Sequence, residues 1–354
     1  MGAIEDYLKK IQPLVDKEIE KVFPRRITKK WLEYAIDKAD FAYDEETITK
    51  SAAEPIWEYL DRGGKRWRPA LTILACEAVG GKKELGLKMT PLVELVHNGT
   101  IMVDDIEDNS ETRRGKPCTH LLYGIDIAIN DGNLMYFAPL PLLYKNPYKL
   151  SDRQIRKIYD LYGKEMIRVS MGQAMDIYWH KGSKTNISEK EYLQMCSYKT
   201  GVLARFAAKL GAIAGNAKPK QEDALGKFGE TIGVAFQIQD DILNLIGEEF
   251  QKGKGVGEDI HEGKRTIMVL HALEHAGETG RARLIEILNS HPTDQAVINE
   301  AIEIIKKNGS IEYAKEKATA LMKQAWKKLD PVLKQSTAKK TLKDFADYLI
   351  ERKI

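Results

Sequence analysis

Leu92-Val93-Glu94-Leu95-Val96-His97-Asn98-Gly99-Thr100-Ile101-Met102-Val103-Asp104-Asp105-Ile106-Glu107-Asp108 is the stretch that decides the fold class. It is apolar for most of its length, and the spacing predicts a long, buried, central helix. It ends in carboxylates. Positions i and i+4 share a helix face and i+1 lies close by, so Asp104, Asp105 and Asp108 can aim oxygens at one point. Carboxylates in apolar surroundings are costly unless a cation pairs with them. A second stretch, Gln237-Ile238-Gln239-Asp240-Asp241-Ile242-Leu243-Asn244, repeats the pattern, with Asp240, Asp241 and Asn244 on one face. Hard oxygen ligands with room left for water and phosphate suit Mg²⁺. The two faces suggest a cluster of Mg²⁺ ions clamping a diphosphate.

Working outward, the chain reads as helix, loop, helix. Ile4, Leu8, Ile11, Leu14 and Val15 give a first amphipathic helix over residues 4–22, closed by Pro24-Arg25-Arg26. A second is expected over about Thr28–Ala42. Gly63-Gly64 breaks one helix and Gly80-Gly81 caps the next. Residues 130–144 form an apolar helix that Pro139 and Pro141 should kink or divide. Helices follow over 151–179, 188–214 and 225–247, with a surface loop at 216–222 holding Pro219. Gln251–Asp259 is a Gly- and Lys-rich loop of the kind that closes over anionic ligands. The remainder is helical, with turns near His291-Pro292 and Asn308-Gly309. No Val/Ile/Thr alternation argues for a strand. With no linker, repeat or low-complexity tract, residues 1–354 read as one all-α domain, of which 1–50 are an N-terminal helical extension.

Composition narrows the function classes. At 354 residues with 43% hydrophobic content, the chain can bury a large core. A net charge of +3 is small for that length and gives no support for nucleic-acid or membrane-surface binding. Three widely spaced cysteines, Cys76, Cys118 and Cys196, form neither a disulfide framework nor a zinc motif, and fit a reducing, cytoplasmic setting. The N-terminus lacks the apolar run of a signal peptide, and no uncharged stretch reaches the length of a membrane span.

Cations and amides accompany the carboxylates. Gly63-Gly64-Lys65-Arg66-Trp67-Arg68-Pro69 sets three cations beside a glycine turn. Such runs are ordinarily solvated, but the glycine pair and the proline favour a fixed turn and aimed cations. Arg113-Arg114-Gly115 follows the first aspartates; it could complement the helix C-terminus or grip phosphate with its forks. His97 lies two turns before Asp104 on roughly the same face. A lone histidine there is more often a core residue than a ligand. Gln173 and Asp176 are polar residues in an apolar helix, and Lys199-Thr200 interrupts another.

In this order, these elements resemble the trans-isoprenyl diphosphate synthases, the polyprenyl synthase family. The resemblance rests on Gly64-Lys65-Arg66-x-Arg68-Pro69, His97, Asp104-Asp105-x-x-Asp108, Arg113-Arg114-Gly115, Gly172-Gln173-x-x-Asp176, Lys199-Thr200-Gly201, Gln237-x-x-Asp240-Asp241, Lys254 and Glu262-Gly263-Lys264. Asp104–Ser110, Tyr123-Gly124-Ile125, Asp176–Trp179 and the Asn244 ending are similar to geranylgeranyl diphosphate synthases of the eukaryotic type. The resemblance implies a single-domain helical bundle of the isoprenoid synthase type with a central substrate cavity. It implies Mg²⁺-dependent condensation of isopentenyl diphosphate with an allylic diphosphate (dimethylallyl, geranyl or farnesyl). It implies that Asp104, Asp108 and Asp240 bind three Mg²⁺ ions, with Asp105 and Asp241 in support. Arg113, Lys199 and Lys254 would hold the allylic diphosphate, and Lys65, Arg68, His97 and Arg114 the isopentenyl diphosphate. Gln173, Asp176 and Lys264 belong to the substrate-binding set. Thr200, Gln237 and the Lys199 carbonyl would face the developing cation. A homodimer packed through helices near the first motif is implied, to which residues 1–50 are expected to add.

Product length is expected to rest on Gly99, Thr100, Tyr136, Phe137 and Ser170. The small Gly99 and Thr100 lack the aromatic stop of farnesyl-producing relatives, Tyr136 and Phe137 match bulky wall positions, and Ser170 loosens the floor. A C20 product is expected, with C25 or longer and C15 as alternatives. A non-catalytic regulatory subunit would carry a damaged aspartate motif, and both are serviceable here. A class I terpene synthase would pair one aspartate helix with an Asn/Ser/Glu metal motif and would not need the Gly64-Lys65-Arg66 site. A merely solvated acidic scaffold conflicts with the apolar flank Leu92–Val103.

Overall fold

The computed structural model describes residues 2–184, 186–246 and 257–351. The described chain is helical nearly throughout, as expected. It divides into two compact units, Met1–Asp160 with Ala207–Lys218, and Leu161–Phe206 with Pro219–Ile354.

The first unit is built around α1 (Gly2–Val22), α2 (Trp67–Ala78), α3 (Pro91–Glu107) and α4 (Ile125–Phe137). In α1 the inward stripe is Ile4, Leu8, Ile11, Val15 and Ile19. The next helix is shorter than its apolar pattern suggests. Thr28 caps it, but it stops at Ile36 because Asp37 turns the backbone to φ 66°. α3 is the buried centre: Leu92, Val93, Leu95 and Val96 are fully enclosed. α4 crosses α3 at backbone contact. A Cβ on Gly99 would lie 2.6 Å from the Gly132 carbonyl oxygen, and one on Gly132 would lie 2.6 Å from Val103 Cγ2. Pro139 and Pro141 do divide the apolar helix, which ends at Phe137 and resumes as the single turn Pro141–Tyr144.

No residue alternation announces a strand, yet a small hairpin follows α3. β1 (Thr112–Arg113) pairs antiparallel with β2 (Lys116–Pro117). Its two-residue turn is Arg114-Gly115, at φ 53° and 76°, the left-handed pair that tight hairpins require. Asn109 at φ 52° ends α3 and reverses the chain, and Ser110 N–H donates back to the Asp105 carbonyl at 2.9 Å. The strands are too short to leave a periodic signal. The two arginines thus sit on a reversed hairpin rather than at the helix C-terminus.

The second unit contains α5 (Asp152–His180), entering it at Leu161, then α6 (Glu189–Cys196), α7 (Pro219–Ile246), α8 (Glu258–His261) and α9 (Ser310–Leu329). Ser188 and Glu191 form a reciprocal capping box at the start of α6. The helix expected over 188–214 is interrupted by a π-helix at Ser197–Gly201. Pro219 opens α7 instead of lying in a loop; at the first helical position its missing N–H is no loss. α7 packs along α9. Glycines bring backbones together at the π-helix. A Cβ on Gly172 would lie 2.2 Å from Lys199 N, and one on Gly233 would lie 2.6 Å from Gly201 Cα. The expected turns are marked by His291 (φ 48°) and Gly309 (φ 67°). Among the described residues no helix is long and apolar enough to cross a membrane.

Candidate active site

α3 delivers its carboxylates to its C-terminal end. Asp104 and Asp105 are in the last turn and Asp108 is the C-cap, its N–H bonded to the Asp104 carbonyl. That end carries the negative pole of the helix dipole, and no basic residue occupies the last turn. The arrangement therefore demands cations from outside the helix. Arg113 supplies one. It donates to Asp105 Oδ1 from Nε at 2.7 Å, and its Nη2 lies 2.5 Å from the same oxygen. Asp105 is almost fully buried. Burial pushes its carboxyl up, and Arg113 opposes that shift. Asp105 thus turns inward to Arg113, while Asp104 and Asp108 are only half-buried.

Behind this group lies a cationic cavity of about 40 Å³, lined by Gly64, Lys65, Arg66, Trp67, Arg68, Glu94, His97 and Arg114. Its positive charge is unbalanced. Arg66, held in a left-handed backbone conformation, is neutralised by Asp16 at 2.8 Å and Glu94 at 2.9 Å. Arg68 and Arg114 have no ion pair among the described residues. Arg68 Nη1 donates to His97 Nε2 at 2.9 Å, and Arg114 Nη2 donates to Asn98 Oδ1 at 3.0 Å. Arg68 Nε and Arg114 Nη1 are buried with no acceptor. Burial pulls the Arg68 guanidinium down to about 10, which still leaves it charged. Burial, then Arg68 and Arg114, hold His97 well below its usual 6.5. Buried donors without acceptors are costly, and an anion in the cavity would satisfy both. Lys65 is exposed at its rim. Sequence reading missed Glu94 and Asn98, which tie Arg66 and Arg114 in place; two polar residues inside an apolar helix were the available signal.

In the second unit the expected face separates. Asp240 is half-buried, but Asp241 and Asn244 are buried and turn elsewhere. Asp241 accepts from Gln237 Nε2 at 2.8 Å and from the Tyr192 hydroxyl at 2.7 Å. Burial pushes its carboxyl up to about 7, and these two bonds and Lys264 act against the shift. Asn244 Oδ1 accepts the Asp259 N–H at 3.1 Å, and its carbonyl accepts the Gly257 N–H at 3.0 Å. Asn244 therefore fastens the start of α8 and does not join Asp240. An aspartate there would set a second carboxylate against the buried Asp259. The π-helix carries Lys199 and Thr200. Lys199 Nζ lies 2.6 Å from Asp176 Oδ2, and the Thr200 hydroxyl donates to Gln237 Oε1 at 2.7 Å. Gln173 is half-buried on α5, beside the Gly172 crossing. Lys264 pairs with Glu262 and lies 3.5 Å from Asp259. Lys254 lies outside the described residues. Tyr192 and Asp259 carried no sequence signal beyond ordinary core and surface patterns.

Each unit offers hard donors of its own. Asp104 and Asp108 present carboxylate oxygens at the negative end of α3, and Asp240 presents one on α7. No cluster of three His, Cys, Asp or Glu side chains forms a ready-made cage among the described residues. Mg²⁺ needs none, since it is bound through one or two carboxylates together with phosphates and water.

The model for the polyprenyl synthetase family matches residues 49–305, most of the chain and every group of the site except Asp16. The chain belongs to the polyprenyl synthetase family. The short chain isoprenyl diphosphate synthase of Methanothermobacter thermautotrophicus is 37% identical over 82% of this chain and 87% of its own length. The geranylgeranyl pyrophosphate synthase of Dictyostelium discoideum is 33% identical over 84% of this chain and 90% of its own. The crystal structure of the geranylgeranyl pyrophosphate synthetase from Pyrococcus horikoshii superposes with a TM-score of 0.86 at 32% identity, covering 99% of both chains. As a polyprenyl synthetase the chain is a prenyltransferase of all-α fold. In this polyprenyl synthetase, Gly99 is filled by α4: a Cβ there would be 3.0 Å from Tyr136 Cε1 as well as from Met135 Cβ. Its smallness is required by the helix crossing. Thr100 is half-buried, its hydroxyl bonded to the His97 carbonyl at 2.8 Å. Tyr136 is half-buried, and Phe137 (62% exposed) and Ser170 are exposed.

Proposed function

We propose that this prenyltransferase condenses isopentenyl diphosphate with an allylic diphosphate and makes geranylgeranyl diphosphate, C20. The observation that carries the reading is the cationic cavity beside α3, with Arg68 Nε and Arg114 Nη1 buried and unanswered. A diphosphate supplies the acceptors they lack. Lys65, Arg68, His97 and Arg114 hold isopentenyl diphosphate there. Arg113, Lys199 and Lys254 hold the allylic diphosphate, with Gln173 and Asp176 beside it, and Lys264 belongs to the substrate-binding set. Asp104, Asp108 and Asp240 ligate Mg²⁺, on which this family generally depends; three ions are proposed. When bound, Mg²⁺ neutralises the departing diphosphate. Asp105 and Asp241 act through Arg113 and Gln237 rather than on the metal.

The reaction breaks the allylic C–O bond with its electron pair leaving on the diphosphate. Thr200, Gln237 and the Lys199 carbonyl present oxygen dipoles to the resulting cation without trapping it. The alkene of isopentenyl diphosphate adds to the cation, and a proton leaves to the diphosphate.

The C20 product is supported by the absence of an aromatic stop at Thr100 and by the names of the Pyrococcus and Dictyostelium relatives. A longer product is the second reading, favoured by the small, exposed Ser170. Leu121, Leu122, Ile125 and Ile129, 43–57% exposed, form an apolar run that supports pairing as a homodimer, with residues 1–50 adding to that interface. The deciding experiment is incubation with isopentenyl diphosphate, Mg²⁺ and each allylic primer, with chain length read by mass spectrometry. Failure to elongate any primer would defeat the reading, and a C15 or C25 product would correct its length.

A further inference from the structure

A chain of hydrogen bonds with a single direction runs through the second unit, and it ends on the residue proposed to face the allylic cation. Tyr192, on α6, is fully buried, and its hydroxyl reaches Asp241 Oδ2 at 2.7 Å. The tyrosine donates, and with a donor on each oxygen Asp241 is held as the carboxylate, which can only accept. The Cys196 thiol, one turn along α6, lies against the same hydroxyl. The other oxygen of Asp241, Oδ1, accepts from Gln237 Nε2 at 2.8 Å. That contact fixes the orientation of the Gln237 amide: with Nε2 committed to Asp241, Oε1 must face the other way. Thr200 lies there, and its hydroxyl donates to Oε1 at 2.7 Å. The Thr200 proton is thereby committed, and the oxygen lone pairs are what the hydroxyl has left to offer.

We propose that Tyr192 is a positioning residue for prenyl transfer: through Asp241 and Gln237 it sets the polarity of the Thr200 hydroxyl, so that the allylic cation meets oxygen lone pairs rather than an O–H proton. The inference rests on the reading of Thr200 as a cation-facing group. Its physical basis is that a dipole aimed in advance at a developing charge stabilises the transition state, whereas a freely rotating one does not. Buried polar networks transmit such orientation because each member has one satisfied arrangement. Three elements supply the chain, and none of the links is local in sequence except Gln237–Asp241, one turn apart on α7. Without the Tyr192 hydroxyl, Asp241 Oδ2 has lost its donor, the carboxylate is free to rotate, the Gln237 amide is free to flip, and the Thr200 proton is free to turn outward.

The test is a double-mutant cycle on Tyr192→Phe and Thr200→Val in the full chain, measured with isopentenyl diphosphate, an allylic primer and Mg²⁺. Circular dichroism and thermal unfolding establish that each variant is folded. The expected result is that Tyr192→Phe lowers kcat by about tenfold or more, as loss of an aimed dipole does, while the allylic KM changes by less than about twofold. In the Thr200→Val background, where no hydroxyl is left to orient, Tyr192→Phe should lower kcat no further. If Tyr192→Phe does not fold, Asp241→Leu takes its place. It removes the acceptor that holds Gln237 Nε2, and the same non-additivity with Thr200→Val is required of it. Full kcat in the single variant would overturn the proposal, and so would a loss that persists undiminished in the Thr200→Val background or a loss confined to KM. An inactive parent chain would instead overturn the proposed function itself.

Discussion

Arg68 donates to Nε2 of His97 across 2.9 Å, so the ring accepts on Nε2 and carries its proton on Nδ1. His97 is thus presented as a neutral donor inside a cationic cavity. Burial and its arginine neighbours hold it well below 6.5. The KM for isopentenyl diphosphate should therefore show no inflection near the ordinary histidine value of about 6.5. The sign for stability follows. The unfolded ring takes a proton that the folded ring refuses, so this residue lowers stability as pH falls below about 6.5. His97→Ala should raise that KM by about tenfold or more, the expected loss for a hydrogen bond to a charged group. Steady-state kinetics across pH check both statements.

Asp104→Ala and Asp240→Ala should each lower kcat by about a hundredfold or more, the scale for losing an electrostatic stabiliser of the transition state. Asp104 sits at the negative end of α3 but also attracts Arg113, so removing its charge should change the stability of the metal-free protein by less than about 1 kcal/mol. Thermal unfolding with and without Mg²⁺ separates the two effects: the parent should gain stability from Mg²⁺ and diphosphate, and Asp104→Ala should gain less.

Asp131 on α4 is fully buried, with one long bond of 3.3 Å from Asn130 and Oδ2 without a donor. Burial pushes its carboxyl up to about 7. A raised carboxyl favours the folded state at low pH and opposes it once the native group must ionise. Asp131→Asn should therefore leave the unfolding midpoint unchanged near pH 4 and raise it above about pH 7, by roughly 1–3 kcal/mol in free energy, the cost of an unsatisfied buried group. Equal effects at both pH values would contradict this.

Aromatic substitutions one residue apart should behave differently. Thr100→Phe replaces a half-buried side chain and should shorten the product by at least one isoprene unit, seen by mass spectrometry. Gly99→Phe drives a side chain into the Gly132 carbonyl at 2.6 Å, and should cost stability by about 1–3 kcal/mol or more through overpacking. A Gly99→Phe protein of parental stability would show that α4 yields.

The all-helical fold, the buried α3 and the cation-rich turns were legible because each rests on a local pattern: apolar spacing, carboxylates in apolar surroundings, glycine beside charge. The proline break after Phe137 was legible for the same reason. What stayed hidden depends on non-local partners. Helical spacing places Asp240, Asp241 and Asn244 on one face, but Tyr192 and Asp259 draw two of them away, and no spacing rule announces that. The hairpin at Thr112–Pro117 is too short for a period. Gly99 reads as an open wall until α4 is seen pressed against it.

The π-helix at Ser197–Gly201 has a consequence for editing the chain. Such a bulge holds one residue more than the regular helix would, so deleting Tyr198 should let α6 run straight on through Val202. Backbone bonds would regularise and the polypeptide would become harder to unfold, yet Lys199 and Thr200 would swing out of register with Asp176 and Gln237. The deletion should yield a tougher protein that no longer turns over substrate, which makes the superfluous residue, by ordinary helix rules, the one this enzyme can least do without.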